Sequence, residues 1–166
     1  MSNKQFSKRA IHLDFHTMPG VYDVGSDFDA DEFVQTLETA GVDYITVFAR
    51  CNLGFAYYPT KIGTVHPSLQ IDLLGEIIKA CHAKNIKVAA YFNAGIDHEH
   101  ALRHREWCRV NKEGQVYMFH VKGYGFRNPC LNTGYKAHLI SMIDEVLNNY
   151  SVDGIFLDCF DLSPCY

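Results

Sequence analysis

Proline is scarce in this chain, with 5 residues in 166, and the 12 glycines follow no period. Collagen-like and low-complexity architectures are therefore excluded. A basic stripe is also missing. Fifteen Lys and Arg stand scattered against 19 Asp and Glu, for a net charge of −4, so the electrostatic footprint of phosphate-backbone binding is lacking. Neither nucleic acid nor an anionic membrane is expected as a partner. No window approaches eighteen apolar residues, and no apolar run follows Lys4, Lys8 and Arg9, so neither a membrane span nor a signal peptide is expected. The six cysteines include no C-x-x-C pair. Cys81 and Cys159 fall inside periodic segments where a thiol packs as a small hydrophobe, which points to reduced thiols and a cytoplasmic location. No G-x-G-x-x-G follows the first strand, so no nucleotide cofactor is expected. Repeats, low-complexity tracts and linkers are likewise missing, so residues 1–166 read as one domain, with 1–9 expected to be disordered.

What is present is a globular composition, 48% hydrophobic and 20% charged, long enough to bury roughly two thirds of its unfolded surface. The segment Ile11-His12-Leu13-Asp14-Phe15-His16 alternates strictly, which predicts a strand with one apolar and one polar face. Asp29 with Glu32 opens a helix whose Phe33, Val34, Leu37 and Ala40 share a face until Gly41 stops it. Residues 43–49 form a β-branched and aromatic run of strand length. The order then repeats. Leu73, Leu74, Ile77, Ile78 and Cys81 form a second apolar stripe, and residues 86–92 a run apolar enough to be covered on both faces. Thr133 can cap a third helix with Leu139, Met142, Ile143, Val146 and Leu147 facing the core, and residues 152–158 supply a fourth strand. The expected fold is α/β, with four parallel strands joined by three helices.

Two connections are long, 50–70 and 94–132. Both leave the carboxyl ends of strands, where α/β sheets and barrels carry their sites. The last inward residues there are His12, Asp14 and His16 on the first strand, Arg50 just past the second, Tyr91 and Asn93 on the third, and Asp158 on the fourth. Polar groups out of water cost several kcal/mol unless paired, so their convergence on one rim points to a polar pocket. Asp158 ends an otherwise apolar strand. It is placed either for nucleophilic or acid/base work or as an N-cap for the segment after Cys159. His100 and His104 would share a helix face beside Glu99, yet no Cys or Asp spacing completes a tetrahedral set. On one strand His12 and His16 would stand about 13 Å apart, too far to share an ion. No metal is expected.

Several of these segments occur together in a recognisable order: His12-Leu13-Asp14-Phe15-His16; Tyr58-Pro59-Thr60-Lys61 with Gly63 and His66-Pro67; Ala80-Cys81-His82 before Ile86-Lys87-Val88; Tyr91-Phe92-Asn93; and 153–158. Over residues 10–160 they resemble the hypothetical glycosyl hydrolase group six. That is an α-amylase-like TIM-barrel group often joined to a β-galactosidase-type trimerisation domain. The resemblance implies a (β/α)8 barrel of which only the first (βα)3β half is present, since a complete barrel takes about 250 residues. It also implies hydrolysis of O-glycosidic bonds, with Asp158 in the place of the nucleophile found at the end of the fourth strand in α-L-fucosidases and α-amylases. The partner acid in such barrels sits on a later strand. Asp14, Asp97, Glu99 and Asp161 are the substitutes at hand, and their spacing singles out none.

Carbohydrate is then the expected partner. Sugars are recognised by planar hydrogen-bonding groups and aromatic platforms. His12, Asp14, His16, Arg50, His66, Tyr91, Asn93 and Trp107 are the expected substrate-binding residues, with Asn52, Tyr57, Tyr58, Tyr117, Tyr124 and Phe126 as further loop candidates. The competing expectations are a noncatalytic sugar-binding module and a half-barrel that self-associates through its open edges or through a missing trimerisation domain.

Overall fold

The computed structural model describes residues 7–121, 124–160 and 164–166, the side chains of 119–124 excepted. In chain order the elements are β1 (Ala10–His12), α1 (Ala30–Thr39), β2 (Tyr44–Arg50), β3 (Phe55–Ala56), β4 (Thr64–Val65), α2 (Leu73–Ala83), β5 (Lys87–Asn93), α3 (His98–Arg103), a 3-10 turn (Arg105–Trp107), β6 (Met118–Val121), β7 (Tyr124–Arg127), α4 (Gly134–Asn149) and β8 (Gly154–Asp158).

The main sheet carries β1, β2, β5 and β8 side by side and parallel, in sequence order, with Ile11 opposite Ile45, Ile45 opposite Val88 and Ala90 opposite Ile155. Parallel neighbours need crossovers, and α1, α2 and α4 supply them. α1 and α4 start at the expected caps, and Asp72 caps α2. Asp29 accepts from the N–H groups of Asp31 and Glu32 at 2.9 Å, Asp72 from Gly75 at 3.0 Å, and Thr133 from Tyr135 at 3.3 Å, which satisfies N–H groups that lack a helical partner. Gly41 closes α1 at φ +67°, a left-handed conformation that glycine adopts without a Cβ penalty. The core lies where the helices meet the sheet. Ile45, Val47, Val88 and Ala90 are buried against Leu74, Ile77 and Cys81 of α2 and Leu139, Met142 and Val146 of α4.

Four expectations need correction. The first strand stops at His12 instead of reaching His16. Beyond Leu13, whose N–H still reaches the Thr46 carbonyl, side chains replace the ladder: the Tyr57 hydroxyl donates to the Phe15 carbonyl and accepts from the Thr17 N–H, and His66 reaches the carbonyls of Thr17 and Met18. Residues 8 and 9 of the expected disordered tail are held, since both backbone N–H groups donate to the Asp43 carboxylate; residues 1–6 lie outside the described residues. Leu147 is 51% exposed instead of buried, in the last turn of α4. Ala40 is exposed as well, because α1 ends at Thr39. The long connections also hold structure that periodicity did not show. Two-residue strands β3 and β4 extend the sheet beyond Arg50, and β6 and β7 pair as an antiparallel hairpin.

Among the described residues no helix is long and apolar enough to cross a membrane. Leu74 is fully buried between α2 and the sheet, so Leu74→Ala removes a packed side chain from the core. We expect urea unfolding to show a loss of about 2–5 kcal/mol. Ile140→Ala, at a half-exposed position, should stay within about 0.5 kcal/mol of wild type.

Candidate functional site

At the carboxyl ends of β5 and β8, Asn93 stands opposite Asp158 and Tyr91 opposite Phe156. With a side-chain period of two, this pairing puts Tyr91, Asn93, Phe156 and Asp158 on one face. A chain of hydrogen bonds joins them. The Asn93 amide donates to the Tyr91 hydroxyl at 2.9 Å, and that hydroxyl donates to Asp158 Oδ2 at 2.6 Å. Asn93 is itself oriented, since its Oδ1 accepts the Ile96 N–H at 2.8 Å. Cys159 follows Asp158 at φ +53° and brings its thiol within 3.5 Å of the carboxylate. Gly95 makes this crossing possible, because a Cβ there would fall 1.8 Å from the Cys159 carbonyl oxygen.

Burial pushes the Asp158 carboxyl up, but hydrogen bonds from Tyr91 and Cys159 and the proximity of His12 outweigh it and leave the group below the ordinary carboxylate value. It is ionised at neutral pH. Burial acts on Tyr91 in the opposite sense to ionisation, and with Asp158 beside it the hydroxyl stays protonated far above neutrality. It is therefore a donor.

A ring floor lies beneath. Phe48 stacks on Tyr91 at 4.1 Å and 17°, and Tyr91 on Phe156 at 5.9 Å and 16°. The His12 ring lies 5.3 Å from Tyr91 and 5.4 Å from Phe156, and His16 lies 4.7 Å from Phe48 and 6.3 Å from Tyr91. Because the strand has ended at His12, the strand-rise separation expected for this pair does not apply: both rings border the same Phe48–Tyr91 stack. Burial lowers the His16 pKa against the pull of Asp14 and Asp158, and its Nε2 lies 3.2 Å from the exposed Asp14 carboxylate.

Arg50 does not join this group. The register slips by one residue between Phe48 and Arg50, so Arg50 stands opposite Phe92 and turns to the helix-covered face. Fully buried, it is bound by the Asp97 carboxylate, the Asn93 carbonyl and the Tyr135 hydroxyl, the last at 2.8 Å. Burial raises the Asp97 carboxyl, but Arg50 and His100 together hold it below the ordinary value. Asp97 is thus ion-paired with Arg50 through Oδ2, and Glu99 pairs with Arg103. Asp161 and the Tyr124 side chain lie outside the described residues.

His66 is also elsewhere. Its buried Nε2 faces the Thr17 and Met18 carbonyls at 3.2 and 3.3 Å, while Nδ1 accepts the Ser68 N–H at 3.2 Å; both nitrogens are used in latching the loop. Trp107 belongs to a third cluster, stacked on His104 at 3.9 Å and 12° and 5.4 Å from His138. His104 is thereby drawn away from the expected pairing with His100, and its Nδ1 faces Glu106 at 2.9 Å. The residues that come together instead are Asp97, His100 and His138, whose candidate ligand atoms lie within 4.8 Å of one another.

Of the expected residues, His12, His16, Tyr91, Asn93 and Asp158 are brought together, with Asp14 at the edge. Missed were Phe48, Phe156, Cys159, Tyr135 and His138. Phe156 was legible, two residues before a polar strand tip on the same face; Tyr135 and His138 gave no signal, since α4 reads as a core helix.

A family model described as hypothetical glycosyl hydrolase 6 matches residues 29–159. No curated protein matches significantly. Among solved structures, α-L-fucosidase isoenzyme 2 from Paenibacillus thiaminolyticus is 37% identical at a TM-score of 0.88, over 95% of this chain and 24% of that one. A hypothetical protein from Ruminiclostridium thermocellum matches at TM-score 0.66 and 17% identity, over 82% of this chain and 72% of that one. A noncanonic maltogenic α-amylase from Thermotoga neapolitana matches at 0.62 and 14%, over 94% and 40%. The chain thus spans about a quarter of the fucosidase's length.

Tyr91→Phe removes the strongest donor to Asp158 and leaves the opposing burial in place. The Asp158 pKa should rise, and carboxyl-carbon NMR titration should show its midpoint at higher pH than in wild type. An unshifted midpoint would mean that the Tyr91 bond does not set the charge.

Proposed function

The chain belongs to the hypothetical glycosyl hydrolase 6 family, and on that premise we propose that it is the amino-terminal half of a (β/α)8 barrel that hydrolyses O-glycosidic bonds with Asp158 as nucleophile. The observation that carries this reading is the Tyr91–Asp158 hydrogen bond at the strand ends. It supports an ionised, oriented carboxylate held mainly by neutral donors, which is the state required of a group that attacks an anomeric carbon.

Asp158 forms a bond to the anomeric carbon as the glycosidic bond breaks, and a carboxylic acid protonates the departing oxygen. In a retaining site the two carboxyl groups stand about 5–5.5 Å apart. We assign that acid to none of Asp14, Asp97 and Glu99, because Asp97 is bound to Arg50, Glu99 to Arg103, and Asp14 to His16. Water then cleaves the glycosyl ester and restores Asp158.

The Phe48–Tyr91–Phe156 floor fits the C–H face of a pyranose. His12, Asp14, His16 and Asn93 supply donors and acceptors for its hydroxyls, while Tyr91 both donates to the nucleophile and borders the sugar. Arg50 and His66 act at one remove, by fixing Asn93 and the loop over the first strand. The likeness to an α-L-fucosidase over 95% of this chain supports a deoxyhexose or related pyranoside as the substrate class.

One observation favours a second state for the isolated chain. Among the described residues no strand pairs with the outer edge of β8, and Phe156, Leu157 and Phe160, at and beyond that edge, are 44, 43 and 58% exposed; unpaired apolar edges invite pairing. We expect sedimentation to show self-association at high concentration; a clean monomer throughout would rule that state out.

In protein carrying the complete barrel, Asp158→Ala should lower turnover of a fluorogenic aryl glycoside by several orders of magnitude while the circular dichroism spectrum is unchanged. Undiminished turnover would remove Asp158 from the mechanism. No turnover by wild type, with sugar affinity kept in Asp158→Asn, would instead make this a noncatalytic sugar-binding module.

A further inference from the structure

We propose that Asp97, His100 and His138 form a binding site for a divalent transition-metal ion of the zinc type. The site lies on the helix-covered side of the sheet and does not depend on the glycosidase reading. It also reverses the expectation of no metal drawn from the sequence.

Three placements build it. Asp97 is the N-cap of α3, and its carboxylate accepts the His100 N–H at 3.1 Å. His100, three residues on, therefore projects from the same side of the first turn, and its Nδ1 comes 3.0 Å from Asp97 Oδ1. His138, on the second turn of α4, brings its ring to 4.3 Å from that of His100. Two ligands bound at about 2.0–2.1 Å to a tetrahedral ion stand about 3.3 Å apart. Asp97 Oδ1 and His100 Nδ1 are already close to that spacing, so an ion can take the place of the proton they share. The third ligand atom is within 4.8 Å, and a side-chain rotation in the half-buried His138 closes the gap.

The independent observation is an orphan. His138 Nε2 is buried and has no hydrogen-bond partner among the described residues. Buried polar atoms are almost always satisfied, and an exception asks for a water or an ion the protein chain does not supply. The surroundings favour an ion over a loose water. Trp107 lies 6.4 Å from His100 and 5.4 Å from His138, and Tyr135 lies 6.4 Å from His138, so the cluster is walled by rings.

The donor set selects the metal. Two imidazole nitrogens and one carboxylate oxygen suit zinc, cobalt or nickel, whereas magnesium and calcium want oxygen shells. Arg50 occupies Asp97 Oδ2, so the carboxylate offers one oxygen and is held from behind, as outer-shell partners hold metal ligands. Three protein ligands leave a fourth position open. The Arg50 charge beside the site weakens binding, which makes it exchangeable.

Titration of the chain with Co²⁺ alone should give one equivalent bound, with the visible absorption of four-coordinate cobalt, and Zn²⁺ should displace it. His138→Gln and His100→Gln should each weaken binding at least about tenfold, while His104→Gln, whose ring stacks on Trp107, should bind as wild type does. In case either variant fails to fold, ¹⁵N NMR of the wild-type histidines carries the test: one equivalent of Zn²⁺ should shift the ring nitrogens of His100 and His138 and leave His12 and His66 in place. Absence of stoichiometric binding, retention of cobalt by His138→Gln, or shifts centred on other histidines would overturn the proposal.

Discussion

The Arg50 guanidinium is removed from water altogether and answered by three elements at once: the Asp97 carboxylate at the start of α3, the Asn93 carbonyl at the end of β5, and the Tyr135 hydroxyl in the first turn of α4. Dehydrating a cation costs several kcal/mol, and attraction to a partner offsets this only where geometry and additional hydrogen bonds are good; stripping away one member of such a pair costs about 3–5 kcal/mol. The interaction is therefore a positional constraint more than a source of stability. It ties the ends of β2 and β5 to both helices that flank the second long connection, and so fixes a connection of nearly forty residues at its two ends.

That constraint reaches the strand ends through Asn93. Arg50 takes its backbone carbonyl, the Ile96 N–H takes its side-chain oxygen, and only the amide nitrogen is left to point at Tyr91. Tyr91, stacked between Phe48 and Phe156, has no freedom to turn its hydroxyl elsewhere. The two carboxylates then differ in kind. Asp97 is matched by a cation and its charge is cancelled in place. Asp158 is held mainly by neutral donors, so its charge is stabilised without being cancelled.

Much of this was legible in the sequence, for reasons particular to each element. β2, β5 and β8 are covered or half-covered strands with β-branched and aromatic residues, and α1, α2 and α4 carry apolar stripes behind capping residues; period and caps agree, so the elements form as read. The convergence of His12, Tyr91, Asn93 and Asp158 followed from a period of two along parallel neighbours, whereas His16 arrives by the irregular segment beyond β1. Arg50 did not follow, because one slipped residue between Phe48 and Arg50 reverses the face, and a slip of register leaves no mark in composition. His66 and the residues after His12 were misread for a related reason. Their hydrogen bonds run between a loop and a strand extension thirty to fifty positions away, beyond what local pattern can report. β3 and β4, at two residues each, are too short to have a period.

The same end of the sheet thus carries two polar clusters on opposite faces, and Asn93 is the residue common to both. Its side chain belongs to the Asp158 face and its carbonyl to the Arg50 face. Separation of the two faces by a buried strand keeps one carboxylate, Asp158, among neutral donors on one side and the other, Asp97, paired with Arg50 on the opposite side.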